Sequence, residues 1–289
     1  MKVTIPTTKP FSFAHALAFM QRFPPCQQEV VVTADRVTAA IALGGRAHAF
    51  TLRAAGGDLV AEVDDPAVAQ RAAEFVSAAD DLNELYAIAE QDPPFAAVID
   101  SLYGLHHVRF LGLEEIAVYC VLMQRTPVKL AATFKRKFLD RFGLRVASGG
   151  RELRAMPELS ELVTLDVDAI ADAIGHRAKA ERIAAVVRGV HGLGEAFLRA
   201  APYREARDAL LAIPGLGPFS AGAILLRGLG RMDEIPSLAL FEREGRALYG
   251  RDWDPTSIER RYGNQIGYWS FYLKTGLASS RSPSARACS

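Results

Sequence analysis

Hydrophobic and polar positions change their rhythm twice along the chain. Residues 12–22 (SFAHALAFMQR) place Phe13, Leu17 and Met20 at helical spacing, and Phe23-Pro24-Pro25 stops the run. Residues 29–64 (EVVVTADRVTAAIALGGRAHAFTLRAAGGDLVAEVD) are short β-branched runs broken at Ala34-Asp35, Gly44-Gly45 and Gly56-Gly57. That pattern predicts a meander of antiparallel strands. Residues 66–90 return to helical spacing, with Pro66 suited to a first turn. Residues 1–95 therefore predict a helix-flanked antiparallel sheet.

After Asp92-Pro93-Pro94 the texture becomes helix upon helix. The spacing predicts helices at 95–102, 113–124, 127–142, 158–163, 167–173, 177–190, 194–199, 203–212, 218–229, 237–249, 255–261 and 264–275. Phe142-Gly143, Ser148-Gly149-Gly150 and His191-Gly192 are turn signals between them. The stretch ASSRSPSARACS (278–289) is small, polar and basic, and is expected to be a disordered tail. The fold class is thus α+β: an antiparallel-sheet lobe (1–95) on an all-helical body (96–277).

Composition narrows the function classes. Half of the 289 residues are hydrophobic and 23% are charged, an ordinary globular balance. No apolar run approaches the ~20 residues of a membrane span, so no membrane partner and a cytoplasmic, nucleoid-associated location are expected. Cys26, Cys120 and Cys288 are scattered, which offers neither a metal pair nor a disulfide framework. No metal or other cofactor is expected. The net charge of +1 hides an asymmetry: residues 1–100 carry 7 Lys/Arg against 13 Asp/Glu, and the remainder carries 27 against 20. An acidic lobe beside a basic body is compatible with a polyanionic partner, and equally with ordinary solvated charge.

The most informative stretch is LLAIPGLGPFSAGAILLRG (210–228). A helix ends at Ile213-Pro214, Gly215-Leu216-Gly217 turns, and a new helix begins near Pro218. Two glycines bring bare N–H groups to the surface, and the next helix start adds unpaired donors and a positive dipole end. Leu216 would pin the turn by pointing inward, while Gly215, Gly217, Phe219 and Ser220 would face a phosphate. Upstream, Arg125 to Arg145 holds seven Lys/Arg (125, 129, 135, 136, 137, 141, 145) against Asp140 alone. Lys135-Arg136-Lys137 point in different directions on a helix, so at most some of them reach a ligand.

This string resembles the helix–hairpin–helix element of the DNA glycosylase superfamily, in its 3-methyladenine glycosylase II (AlkA-like) branch. The resemblance extends over roughly residues 10–275. PPFAAVIDSLYGLHHVRFLGLEEIAVYCVLMQRTPVKLAATFKRKFLDRFG (93–143) is similar to the family's first core segment, whose helix ends in a Gln leading into a wedge that fills the gap left by a flipped base. Those positions are Gln124 and Arg125, with a plain surface Arg as the alternative for the latter. DAIGHRAKAERIAAVVRGV (172–190) is similar to the family's Gly-x-x-x-Lys-Ala helix. The leading sheet is similar to the branch's lobe shaped like half a TATA-binding protein. The resemblance implies base flipping and excision of alkylated purines from double-stranded DNA, independent of sequence, by a monomer.

Three departures qualify that implication. Phe219 stands where bifunctional members carry a Lys nucleophile, so a Schiff-base step is excluded at that site. Iron–sulfur members need four clustered cysteines, which this chain lacks. The family's catalytic Asp, just past a Pro, falls on Leu238 in EIPSLALFE (234–242). Glu242, one helical turn beyond, is the candidate substitute acid. Tyr119, Phe219, Tyr268, Trp269 and Tyr272 are candidates for a base pocket, or simply core. The missing carboxylate leaves two functions open: a weak monofunctional glycosylase limited to labile cationic purines, or a catalytically silent protein that binds damaged DNA.

Overall fold

In the computed structural model, residues 1–26 and 29–280 are described. The leading lobe is a five-stranded antiparallel sheet of β1 (Lys2–Ile5), β2 (Val31–Val32), β3 (Arg36–Leu43), β4 (Arg46–Ala55) and β5 (Asp58–Glu62), in the order β1-β5-β4-β3-β2. The turns β3–β4 and β4–β5 are two-residue Gly-Gly turns, with φ of +59° and +74° and of +60° and +91°. Only glycine adopts such a pair of angles without strain, and this turn matches the strand twist. α1 (Phe13–Arg22), capped by Ser12 Oγ on the His15 amide, and α2 (Pro66–Phe75) pack on the sheet's inner face.

The run expected as one helix over 66–90 is broken, and α3 spans Asn83–Ala89. The break is held by tertiary contacts that outweigh helical spacing. Arg109 donates from Nε to Ser77 Oγ (2.8 Å) and from Nη2 to Asp80 (2.9 Å), and the Tyr268 hydroxyl donates to Asp80 (2.5 Å).

The body contains α4 (Pro93–Ser101), α5 (Leu113–Met123), α6 (Val128–Phe142), α7 (Leu159–Leu162), α8 (Val167–Ile174), α9 (Arg177–Leu193), α10 (Glu195–Ala200), α11 (Tyr203–Leu211), α12 (Pro218–Ala223), α13 (Glu242–Tyr249), α14 (Pro255–Tyr262) and α15 (Ile266–Ser280). α12 widens into a π turn over Ile224–Gly228, and a 3₁₀ turn over Leu238–Phe241 precedes α13. α15 runs three residues into the stretch expected to be a tail; residues 281–289, with Cys288, lie outside the described residues.

The body is not wholly helical. β6 (Leu144–Ser148) and β7 (Arg151–Ala155) form a hairpin around Gly149-Gly150. Its Leu153 and Ala155 pack on Ala40 and Ala42 of β3, so the sheet's outer face is covered as well. The buried core has two main clusters. One joins the sheet, α1–α4 and α15, crossing the boundary expected at residue 95. The other joins α5, α6, α8, α9, α11 and α12. Phe23 packs against both.

Candidate functional site

α11 and α12 form the helical hairpin. Ile213 and Leu216 are buried at its turn, as an inward-pointing Leu216 requires. Gly215 has φ +97°, a left-handed conformation, and a Cβ there would sit 3.5 Å from Arg182 Cγ. Gly217 caps α12 from extended backbone, and a Cβ there meets nothing within 4 Å. No side chain caps the α12 amides, and Pro218 occupies the first helical position. The turn therefore presents unpaired N–H donors with open space before them. Phe219 is 58% exposed beside it, whereas Ser220 is 5% exposed. Ser220 thus does not face a ligand: it lies on the side of α12 that packs into the body, which corrects the expectation from sequence.

The loop after α5 is tied to this hairpin. Gln124 Nε2 donates to the Gly215 carbonyl at 2.7 Å, and Arg182 Nη1 donates to Gln124 Oε1 at 3.4 Å. Arg125 is exposed at the tip with φ +50°, a conformation non-glycine residues rarely adopt. Lys179, from the Gly-x-x-x-Lys-Ala helix, fixes this shape. Its buried ammonium donates to the carbonyls of Val121 (3.0 Å), Leu122 (3.0 Å) and Gln124 (2.9 Å). These carbonyls lie at the end of α5 and in the loop after it, so one cation caps the helix and sets the loop. Burial, and then the nearby Arg182, hold the Lys179 ammonium below the usual lysine range. Lys135, in the basic run of α6, is buried against Glu29 (2.8 Å) and Glu115 (2.5 Å) and belongs to the interior.

Behind the hairpin lies an apolar cavity of about 370 Å³. Its walls are Phe19 and Phe23 from the α1 region, Phe219 from α12, Phe241 from the loop before α13, and Phe271 from α15. Arg227, on the π turn, and Lys274, on α15, complete it. Such π turns rotate side chains off the regular helical face and recur at functional sites. The Arg227 guanidinium carbon lies 4.4 Å from the Phe23 ring centroid, 5.4 Å from Phe19 and 5.7 Å from Phe271. Its Nη1 donates to His107 Nε2 at 2.9 Å, while Nη2 is buried without a hydrogen-bond partner. Burial pulls the Arg227 pKa down to about 10. Burial, and then the adjacent Arg227 and Arg109, keep His107 neutral, as its acceptor role requires. The Lys274 ammonium sits 4.4 Å from the Phe241 ring centroid.

Among the aromatic candidates, Phe219 alone lines the cavity. Trp269 is fully buried, stacked on Trp253 at 6.1 Å and 10°, and donates to the Tyr249 hydroxyl. Tyr119 packs on Phe110 with centroids 5.4 Å apart. Tyr268 is held by Asp80, and Tyr272 is hydrogen-bonded to Tyr86 at 3.1 Å. These rings are core because their helices turn these faces inward.

The substitute acid is not brought to the cavity either. Glu242 accepts from Trp253 Nε1 at 2.6 Å and from Arg246 Nε at 2.5 Å, and both partners hold its carboxyl below the usual range. The 3₁₀ turn ahead of α13 swings it to another face. Leu238 is half-buried against the core, Glu234 pairs with Arg207 (3.0 Å), and Asp233 pairs with Arg231 (3.5 Å). No Asp or Glu lines the cavity, and no cluster of metal-ligating side chains occurs among the described residues. No helix among them is long and apolar enough to cross a membrane.

No family model matches the chain. It is 29% identical over 147 residues, half of its length, to a probable bifunctional transcriptional activator/DNA repair enzyme AlkA of Mycobacterium tuberculosis. It is 26% identical over 151 residues to a DNA-3-methyladenine glycosylase of Bacillus subtilis. The matches span 29% and 50% of those two proteins, so the chain covers half or less of the curated relatives. A solved 3-methyladenine DNA-glycosylase from Archaeoglobus fulgidus superposes with a TM-score of 0.77 over 94% of this chain and 96% of that one, at 21% identity. That superposition establishes a shared fold.

Proposed function

We propose that this chain, which belongs to the helix–hairpin–helix DNA glycosylase superfamily and to its AlkA-like branch, is a monofunctional DNA N-glycosylase of base excision repair. It binds double-stranded DNA without regard to sequence, flips a damaged purine into the cavity behind the hairpin, and hydrolyses the N-glycosidic bond. One observation carries the reading: α12 serves both tasks. Its first turn offers open backbone donors to a phosphate, and Phe219, two residues on from Gly217, is a wall of the cavity. A nucleotide gripped at the turn is therefore next to a chamber that receives its base.

The grip reads no bases, because its donors are backbone amides, and this supports sequence-independent binding. Arg125, held outward at the tip of the Lys179-capped loop, is the group that enters the vacated stack. Hairpin, loop and cavity all come from one chain, which supports action as a monomer. In the reaction the bond from C1′ to the base nitrogen breaks with its electrons leaving on the base, and a water oxygen bonds to C1′ while that water gives up one proton to solvent. Relatives named as 3-methyladenine glycosylases support an alkylated purine as the damaged base.

The carboxylate-free cavity favours a second reading, a protein that holds damaged DNA without cutting it. Incubation with duplexes containing 3-methyladenine, 7-methylguanine, hypoxanthine or uracil, scored for abasic sites, separates the two. Abasic sites from any of these duplexes establish the enzyme. Tight binding to an abasic duplex with no product from any lesion establishes the binding protein.

A further inference from the structure

A second cavity, of about 540 Å³, adjoins the one behind the hairpin. It lies between α1, α4 and α15, with Ala18, Leu102 and Ala278 among its walls. Phe19, Phe23, Lys274 and Thr275 line both cavities, so the two spaces share one boundary. Part of that boundary is fixed: Phe19 and Phe23 are stacked with centroids 5.2 Å apart, and both face the buried Arg227 guanidinium. Another part can move. Lys274 is exposed and carries a long flexible stem. Among the described residues its ammonium has one ring contact, 4.4 Å from the Phe241 centroid, and no ion pair. The second cavity is also suited to apolar matter. Ser101 Oγ donates to the Val98 carbonyl (2.8 Å), Thr275 Oγ1 to the Phe271 carbonyl (2.7 Å) and His15 Nδ1 to the Tyr103 carbonyl (3.2 Å). These polar wall groups are satisfied within the protein and require nothing of a ligand.

We propose that the second cavity is a subsite for an extended apolar substituent on the flipped purine, an aralkyl or long alkyl group, which enters it past the side chain of Lys274. The proposal rests on the glycosylase reading above and specifies the substrate class of that same site. The base occupies the first cavity, where the exposed Phe219 ring offers a free face. A methyl substituent has no use for the second cavity. A benzyl group does, because its apolar surface is otherwise left in water. Single pockets for drug-sized ligands span roughly 300–1,000 Å³, so adjoining cavities of about 370 and 540 Å³ offer room for a base with a large appendage. Swinging Lys274 outward returns its ammonium to water, so opening the boundary buries no charge. The same movement takes a cation away from a lesion that is itself positively charged.

The test uses the full chain and duplexes whose lesion nucleotide carries a 2′-fluoro sugar, which slows cleavage so that binding is read alone. The probes are 7-methylguanine and 7-benzylguanine, with an abasic analogue and undamaged duplex as references. Benzyl duplex is expected to bind on the order of tenfold more tightly than methyl duplex, the scale of burying an added phenyl ring. Ala18 is exposed on α1 and lines the second cavity but not the first. Ala18→Trp fills that space and is expected to remove the benzyl advantage while methyl affinity stays within about twofold. Lys274→Ala, an independent variant, opens the boundary and is expected to widen the benzyl-to-methyl ratio several-fold; an unchanged ratio overturns the route past Lys274 and the proposal with it. Benzyl bound no more tightly than methyl, or a benzyl advantage that survives in folded Ala18→Trp, also overturns the proposal. If abasic duplex is still preferred over undamaged duplex in either case, the glycosylase reading stands. Equal affinity for abasic, damaged and undamaged duplexes overturns base flipping and this proposal together.

Discussion

Gln124 Nε2 donates a 2.7 Å hydrogen bond to the carbonyl of Gly215, joining the loop that would enter the DNA stack to the turn that would hold its backbone. The two residues are 91 positions apart in sequence, so this bond fixes a distance between the loop and the hairpin turn that no local structure sets. Gln124→Ala removes it at a cost of about 1 kcal/mol, because one end is near solvent. Thermal stability should change by no more than a few degrees. Affinity for an abasic duplex, measured by fluorescence anisotropy, should fall more than affinity for undamaged duplex, which needs the hairpin alone.

The hairpin glycines separate fold from grip. Gly215→Ala forces a side chain to φ +97° and is strained whether or not DNA is present. Gly217→Ala is different, because its Cβ meets no protein atom within 4 Å. The Tm of Gly217→Ala should match wild type within about 0.5 kcal/mol of stability. Duplex binding should nonetheless weaken several-fold, with a shallower dependence of log K on log salt. Unchanged binding in that variant would show that no phosphate approaches Gly217.

Helix positions were legible in the sequence because α4–α6 and α8–α14 carry apolar residues at strong helical spacing bounded by Pro and Gly. The β6–β7 hairpin was missed although LRVASGGRELRA alternates apolar and polar residues around Gly149-Gly150, because the surrounding helical texture dominated. The break in 66–90 was not legible, since it is set by Arg109 and Tyr268, which are remote in sequence. The grip was legible because Gly215-Leu216-Gly217 is a local device. The cavity was not: Phe19 and Phe23 meet Phe271 only through tertiary packing. One signal for it was present, an Arg at 227 inside the apolar run AILLRGLG, where a helix predicted at 218–229 would bury a charge.

Glu242 is expected to be dispensable for any chemistry in the cavity. Its two carboxylate oxygens are engaged by Trp253 and Arg246, and it does not line the cavity wall. Glu242→Gln keeps an acceptor for the Trp253 indole N–H, so fold and excision rate should both be retained. A rate loss on the order of 10²-fold or more, the scale of losing an electrostatic stabiliser, would reinstate it as the acid.

Stability should carry a pH dependence from Glu114. Burial pushes its carboxyl up to about 7, against the partial compensation of Arg71. An acid whose pKa is raised in the folded state contributes stability that is fully present below its unfolded value and is lost as pH rises through its folded value. The contribution is therefore intact near pH 4 and gone above about pH 8, a change on the order of a few kcal/mol. Glu114→Gln should flatten the Tm profile between pH 5 and pH 8 relative to wild type. Parallel profiles would show that the folded carboxyl titrates at its ordinary value.

Arg125 poses a question of side chain against backbone. It is exposed at φ +50°, a conformation that costs a non-glycine residue on the order of 1 kcal/mol. The loop keeps that shape because Lys179 holds the carbonyls of Val121, Leu122 and Gln124. Arg125→Ala retains the backbone cost and deletes the guanidinium, whereas Arg125→Gly deletes both. If the side chain fills the vacated stack, both variants lose the preference for an abasic over an undamaged duplex, and to a similar extent. If the loop's shape is what matters, Arg125→Gly keeps the preference, because glycine adopts φ +50° freely. Stacking on bases is worth about 1–3 kcal/mol per contact, so the first outcome predicts roughly a tenfold or greater loss on the abasic duplex alone. Equal losses on both duplexes would make Arg125 a phosphate contact and leave the stack to be filled by another group.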